Sequence, residues 1–480
     1  MRRRRGCSAP EATESLMTVA TVSSTQARPA IGGPQDLFNS TRNTIGLPTI
    51  VRGEDIYIFD DQGNRYLDAI SGAMTAQLGQ GNRRVLDAMH AQGMQHSFSY
   101  VRTTRHLPNM GLTERIARLA GPGFERVHLS SGGSEAVEMG IKFLRQYAYA
   151  TGQKTRTRIL SLMPSYHGGT LGTIGWTGDE DAAAVWGPMA HFSTKIPAPL
   201  SYRPPGGGTS REGALFSAAR IEAAIEELGS ENVLAFIVEP VGGQSTGANV
   251  PDPVFFTELR RICDRHGVYL VFDEVMSACR AGTFLAAHQI ADCKPDVVVT
   301  AKGLGAGYTP MGALLAPARM VDELAERTGF NLSHTYGANP ISCAGACAVL
   351  DETVERDLLG NARRVGAHLR QRLEALKERH PVIGDVRGQG LLLAVEYVRD
   401  RESKEPFSAE VFASDRIRQI GLKEGVMLYS RRQNQGRYGE WSLIAPPLII
   451  TESQADELVD QLDRSVAEFT REMVRSGEIA

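Results

Sequence analysis

Three short apolar runs, each ending near an ionisable residue, constrain this chain more than any other feature. Residues 233–238 (Val-Leu-Ala-Phe-Ile-Val) run into Glu239, residues 268–272 (Val-Tyr-Leu-Val-Phe) into Asp273, and the three valines 297–299 into Thr300, Ala301 and Lys302. A run without polar alternation is how a strand covered on both faces of a parallel sheet reads. Residues 253–266, between the first two runs, carry helical spacing. The unit is therefore β-α-β, with parallel strands and a right-handed crossover. Ligands of open α/β sheets lie at the carboxyl ends of the strands. Glu239, Asp273 and Lys302 are accordingly predicted on one rim.

Just past a buried strand end, a lysine loses hydration and its pKa falls, as a Schiff-base lysine requires. Alone, Lys302 also fits a solvated surface lysine. Gly303-x-Gly305-x-Gly307 offers a dinucleotide loop as well, but a strand-like segment follows at 311–315, where a nucleotide fingerprint needs a helix. No Walker A or HExxH sequence is present.

Two upstream segments point to the same rim. Residues 126–129 read as a strand, Ser130-Ser-Gly-Gly-Ser134 as a loop and 135–150 as a helix. Such a loop presents unpaired N–H groups and the positive end of the helix dipole, a place for phosphate; an ordinary N-cap by Ser134 is the alternative. The strand 158–163 ends in Pro164-Ser-Tyr166-His167-Gly168. Tyr166 is placed either to stack on a flat ring or to fill the core.

Bulk properties narrow the function. The chain has 480 residues, 42% hydrophobic, enough for a large domain and a smaller one. With 52 basic and 55 acidic side chains the net charge is −3, so nothing draws it toward nucleic acid or anionic membrane. Six cysteines show no CxxC pair, which indicates neither a disulfide framework nor a metal site and favours a reducing, cytoplasmic setting. No apolar run approaches a membrane span. Residues 1–35, opening Met1-Arg-Arg-Arg-Arg5, lack an apolar core for a signal and read as a flexible tail, with Met17 a possible start.

Elsewhere, residues 56–60 and 65–70 read as a hairpin, whose Gly63 is misplaced for a calcium loop. Residues 82–93, 107–120, 341–353 and 362–378 read as helices, 391–397, 425–429 and 441–445 as strands, and 452–469 as a final amphipathic helix. The expected division is a tail (1–35), the N-terminal part of a small domain (36–85), a large domain (86–345) and a C-terminal small domain (346–480) that shares its sheet with the hairpin.

These segments, in this order over roughly residues 40–470, resemble the class III (ω-amino acid and amine) aminotransferases, the pyridoxal 5′-phosphate (PLP) enzymes of fold type I. The resemblance rests on Arg65-Tyr-Leu-Asp68, Ser131-Gly-Gly-Ser-Glu-Ala136, Tyr166-His167-Gly168, Phe272-Asp-Glu-Val275, Ala301-Lys302-Gly303, His334-Thr-Tyr336 and Pro446-Pro-Leu448. It implies an α/β fold with a mostly parallel seven-stranded sheet flanked by helices, and a small α+β domain. Lys302 is implied to form the internal aldimine and shuttle a proton, and Asp273 to hold the pyridine nitrogen protonated. Gly133 and Ser134 are implied phosphate ligands, Tyr166 with His167 the stacking segment, and Val275 and Glu239 further cofactor neighbours. Thr335 is implied to reach the phosphate of a neighbouring subunit, hence a homodimer.

The chain departs from the pattern at Met276-Ser-Ala-Cys-Arg280-Ala, one residue shorter than the usual glycine-rich stretch, and at Gly132 and Val137. Tyr100, Arg431 and Arg432 are candidate substrate contacts, the two arginines for a carboxylate; a solvated basic loop is the alternative for them. The implied activity is ping-pong transfer of an amino group from an amine or ω-amino acid to a 2-oxo acid, pyruvate or 2-oxoglutarate. A PLP-dependent aminomutase, epimerase or decarboxylating enzyme shares every residue named. A PLP-binding regulatory protein without turnover is the remaining alternative.

Overall fold

A computed structural model describes residues 47–331 and 333–479. The predicted tail, Met17 and Cys7 lie outside the described residues. The hairpin forms as β2 (Tyr57–Asp60) and β3 (Arg65–Asp68), preceded by an additional antiparallel strand, β1 (Ile50–Glu54).

The large sheet comprises β4 (Arg126–Ser130), β5 (Arg158–Met163), β6 (Thr194–Pro197), β7 (Val233–Val238), β8 (Tyr269–Asp273), β9 (Val297–Thr300) and β10 (Gly312–Ala316), in the order β4-β10-β9-β8-β7-β5-β6. β10 runs antiparallel to both its neighbours, while β9, β8, β7, β5 and β6 pair in parallel. Both faces are covered, as the unbroken apolar runs require. Val297 and Val299 enter the cluster beneath the helix Gly133–Ala150, with Val271, Ile237 and Leu314. Val298 enters the opposite cluster, with Leu270, Phe272 and Leu315. The period of two is that of a strand whose successive side chains point to opposite faces.

The C-terminal part builds an antiparallel sheet of β11 (Ile383–Gln389) and β12 (Leu392–Tyr397) with two later strands. The expected strand 425–429 is in fact two. β13 (Val426–Met427) pairs in parallel with β3 of the N-terminal hairpin, whereas β14 (Tyr429–Arg432) joins β15 (Glu440–Ile444) and β12 in the other sheet. Buried Leu428 is the crossing point between them. Sharing between the N- and C-terminal parts is thus confined to β13. A helix at Glu452–Ser476 packs along the helix Leu358–Arg379, and the pairs His368–Asp456, Arg372–Asp460 and Arg379–Asp463 line their seam.

Candidate active site

The carboxyl ends of β7, β8 and β9 open into a cavity of about 280 Å³. Its walls include Gly133, Ser134, Tyr166, His167, Glu239, Asp273, Val275 and Lys302, so eight of the twelve residues singled out in the sequence come together there. Thr75, Met276 and the segment Thr309-Pro310-Met311 also line it.

Lys302 sits in a single 3-10 turn with φ of +38°, a left-handed conformation that a side-chain-bearing residue rarely adopts. Strain of this kind persists where surrounding structure over-determines it, often at functional sites. Its Nζ donates to the carbonyl of Ala73 at 2.9 Å. Burial, reinforced by the charge of Arg280, lowers this amine to about 8 against the opposing pull of Asp273 and Glu239.

Asp273 ends β8 and is buried. Its Oδ2 accepts from His167 Nδ1–H at 2.8 Å and its Oδ1 from the Val275 N–H at 3.1 Å, which fixes the carboxylate plane. The other ring nitrogen, His167 Nε2, is buried without a partner. Glu239 accepts from the N–H of Tyr166 at 3.0 Å and of Gly243 at 2.9 Å. Burial and Asp273 nevertheless push it up to about 8.

The helix Gly133–Ala150 starts two residues before the expected position. Gly132 is its N-cap and makes no side-chain cap bond, so Ser134 lies inside the first turn rather than capping it. Ser134 Oγ accepts from the N–H of Gly169 at 3.1 Å, tying the helix start to the Tyr166-His167 loop. There is no room for a side chain at this junction. A Cβ on Gly168, whose φ is +130°, would lie 2.5 Å from Ser134 Oγ, and one on Gly133 would lie 2.9 Å from Val275.

Four predicted residues stand apart from the cavity. Thr335 is exposed and does not line it. Tyr100 is half-buried and its carbonyl accepts from the Thr103 N–H. Neighbouring strand residues point to opposite sides, so Arg431 and Arg432 cannot share a role. Arg432 is taken up by Glu440 at 2.6 Å and the Phe407 carbonyl at 2.9 Å, an ion pair inside the fold, which removes it as a substrate contact. Arg431 pairs with Asp179 at 2.9 Å, and its charge is felt by Tyr166 and Tyr429. Neither alternative for the pair, a solvated loop or a free carboxylate receptor, describes both.

Sequence reasoning did not single out the Thr309-Pro310-Met311 segment, whose signal was its place just after the glycine run. It also assigned no role to Arg280, although it lies in the stretch that departs from the family pattern.

An enclosed lysine beside a carboxylate at a parallel sheet's rim, with an uncapped helix end opposite, defines a PLP enzyme of fold type I. The donor set fits that group: an amine for the aldehyde, a fixed carboxylate for the ring nitrogen, a flat aromatic for the ring and an uncapped helix N-terminus for the phosphate. The sequence profile described as Aminotransferase class-III matches residues 39–466, and the chain belongs to that PLP-dependent family of transaminases. It is 34% identical to an uncharacterized aminotransferase of Schizosaccharomyces pombe, over 87% of this chain and 92% of the relative. It is equally 34% identical to the adenosylmethionine-8-amino-7-oxononanoate aminotransferase of Geobacter sulfurreducens, over 88% and 92%. A thermostable (S)-enantioselective omega-transaminase from Thermomicrobium roseum superposes with a TM-score of 0.84 at 32% identity, over 91% of this chain and 96% of that one.

Proposed function

We propose that this transaminase takes its amino group from an amine or ω-amino acid and delivers it, in a ping-pong sequence, to a 2-oxo acid such as pyruvate or 2-oxoglutarate, with Lys302 and Asp273 as the catalytic pair. The observation that carries this is the convergence on one cavity of an amine lowered to about 8, a carboxylate fixed by His167, and an uncapped helix end. Bound PLP supplies the aldehyde that exchanges nitrogen with the substrate and the ring that takes up electrons as a C–H bond breaks. Lys302 Nζ would hold the aldehyde at rest and afterwards take up and return the proton that leaves the substrate carbon. An amine near neutrality is suited to accept and return that proton. Asp273 keeps a proton on the pyridine nitrogen, and His167 with the Val275 N–H keeps Asp273 in plane. Gly133 and Ser134 hold the phosphate, Tyr166 covers the ring, and Glu239 orients the Tyr166 backbone beside it.

Arg431 is proposed to receive the carboxylate of the oxo acid in exchange for its ion pair with Asp179. Thr335 is proposed to reach the phosphate bound by a second copy, making a homodimer. An exposed apolar group on this side supports this: Tyr336 is 67% exposed and its ring meets that of Phe98 edge-on at 5.9 Å, and Leu107, 80% exposed, follows His106, whose ring bonds the Ala338 carbonyl at 2.8 Å. The proposed domain division keeps the boundaries 36–85, 86–345 and 346–480. A cytoplasmic setting is proposed from the free cysteines among the described residues and their lack of any helix long and apolar enough to cross a membrane.

The decisive experiment mixes the full-length, PLP-loaded protein with a panel of amines and follows a single turnover by absorbance. Lys302→Ala is expected to lose turnover by about 10⁴-fold. Full turnover in that variant overturns the assignment. For Arg431→Ala, a severalfold rise in the KM of the oxo acid is expected, and an unchanged KM removes Arg431.

A further inference from the structure

Arg280 is wholly enclosed, 0% exposed, at the end of the stretch where the chain departs from the family pattern. Among the described residues it has no carboxylate within ion-pair distance. It binds backbone carbonyls from separate parts of the chain instead. Nε donates to Met74 at 3.2 Å, and Nη1 to Ala445 at 3.0 Å and Pro446 at 2.8 Å; Nη2 has no partner. Burying a guanidinium without an anion is costly, so carbonyl contacts offset only part of the loss.

The Met74 carbonyl that receives Nε is adjacent in sequence to the Ala73 carbonyl that receives Lys302 Nζ. The turn carrying both is contorted: Ser71, Gly72 and Met74 all have φ between +49° and +68°. Nothing in the proposed chemistry uses Arg280, yet it grips the turn on which the lysine rests.

We propose that Arg280 is a positioning residue for Lys302: its buried guanidinium holds the Ala73–Met74 turn that receives the lysine amine, and its positive charge, with no carboxylate at ion-pair distance among the described residues, disfavours a second cation there. The charged and titratable groups that act on Lys302 are Arg280, Asp273 and Glu239, and those that act on Arg280 are Asp68 and the Cys279 thiol. Both anions near Lys302 favour its protonated form, so Arg280 opposes them together with burial. The inference rests on Lys302 as the cofactor-holding amine, but the test below observes the amine itself and is separable from turnover.

The full-length chain, stripped of PLP, is reductively methylated with formaldehyde and cyanoborohydride at a series of pH values, and modification of Lys302 is followed by peptide mass spectrometry. The wild-type midpoint is expected near about 8. Arg280→Met is expected to raise it by about one unit, a tenfold smaller neutral fraction at pH 7. Arg280→Lys loses the fork of carbonyl bonds and, because burial lowers a lysine more readily than an arginine, part of the charge, so its midpoint is expected between those of wild type and Arg280→Met. Arg280→Gln keeps a donor for the carbonyls but no charge and is expected to raise the midpoint as Arg280→Met does, which keeps the test open where Arg280→Met does not fold. An unmoved midpoint in Arg280→Met or Arg280→Gln, or a midpoint in Arg280→Lys above that of Arg280→Met, overturns the proposal.

Discussion

A carboxylate that accepts two backbone N–H bonds is ordinarily a stronger acid than usual, yet Glu239 moves the other way, because withdrawal from water and the nearby charge of Asp273 outweigh both bonds. Its folded pKa of about 8 lies above the unfolded value, so the native state binds more protons than the unfolded one between those values. Wild-type stability therefore falls as pH rises toward about 8 and levels beyond it. Glu239→Gln has only one acceptor oxygen for the two N–H donors and starts less stable. Its deficit in melting temperature should shrink between pH 5 and 8, as measured by scanning calorimetry of the PLP-free protein, and a constant deficit contradicts the assignment. Lys302, Asp273 and Glu239 were legible as residues because each terminates an apolar strand. Arg280 was not, since its meaning lies in carbonyls 206 positions before it and 165 and 166 positions after it.

At the scale of elements, the start of the helix Gly133–Ala150 matters most. A serine before a helix suggests a cap, and only the backbone places the N-cap at Gly132 and leaves Ser134 Oγ turned to Gly169. Ser134→Ala should weaken PLP retention about tenfold, a loss of about 1.4 kcal/mol as expected for one hydrogen bond to a charged group, read by equilibrium dialysis. Gly168→Ala should be worse. The new Cβ meets Ser134 Oγ and the φ of +130° disfavours any side chain, so both a lower denaturation midpoint and lost PLP binding are expected. Strands β7, β8 and β9 were readable because both faces are covered and each position carries the same apolar demand. The break between β13 and β14 was not, because an apolar Gly-Val-Met-Leu-Tyr run is compatible with one strand or with two that part company at a buried leucine.

At the scale of the molecule, a buried ionic group joins the two main sheets' surroundings. Glu396 on β12 accepts from Arg387 at 2.5 Å and lies at ion-pair distance, 2.7 Å, from Arg203, and Arg387 also donates to the Thr246 carbonyl at 3.2 Å. Glu396→Gln leaves the two guanidinium groups undercompensated and should cost about 3 kcal/mol in denaturant unfolding. Leu107→Asp tests the assembly instead: at 80% exposure it should hardly alter an isolated chain, whereas in the proposed homodimer sedimentation should shift toward the monomer. By itself the sequence determined the layered α/β class, the order of its segments and the candidate lysine, aspartate and Ser/Gly loop at the sheet's rim, because strand burial and helix period are local patterns that a chain displays along its length. Tertiary structure alone decided that Thr309 to Met311 wall the cavity, that Arg432 is spent on Glu440, and that Arg280 stands behind Lys302. Those facts depend on distances between segments remote in sequence, which no local pattern encodes.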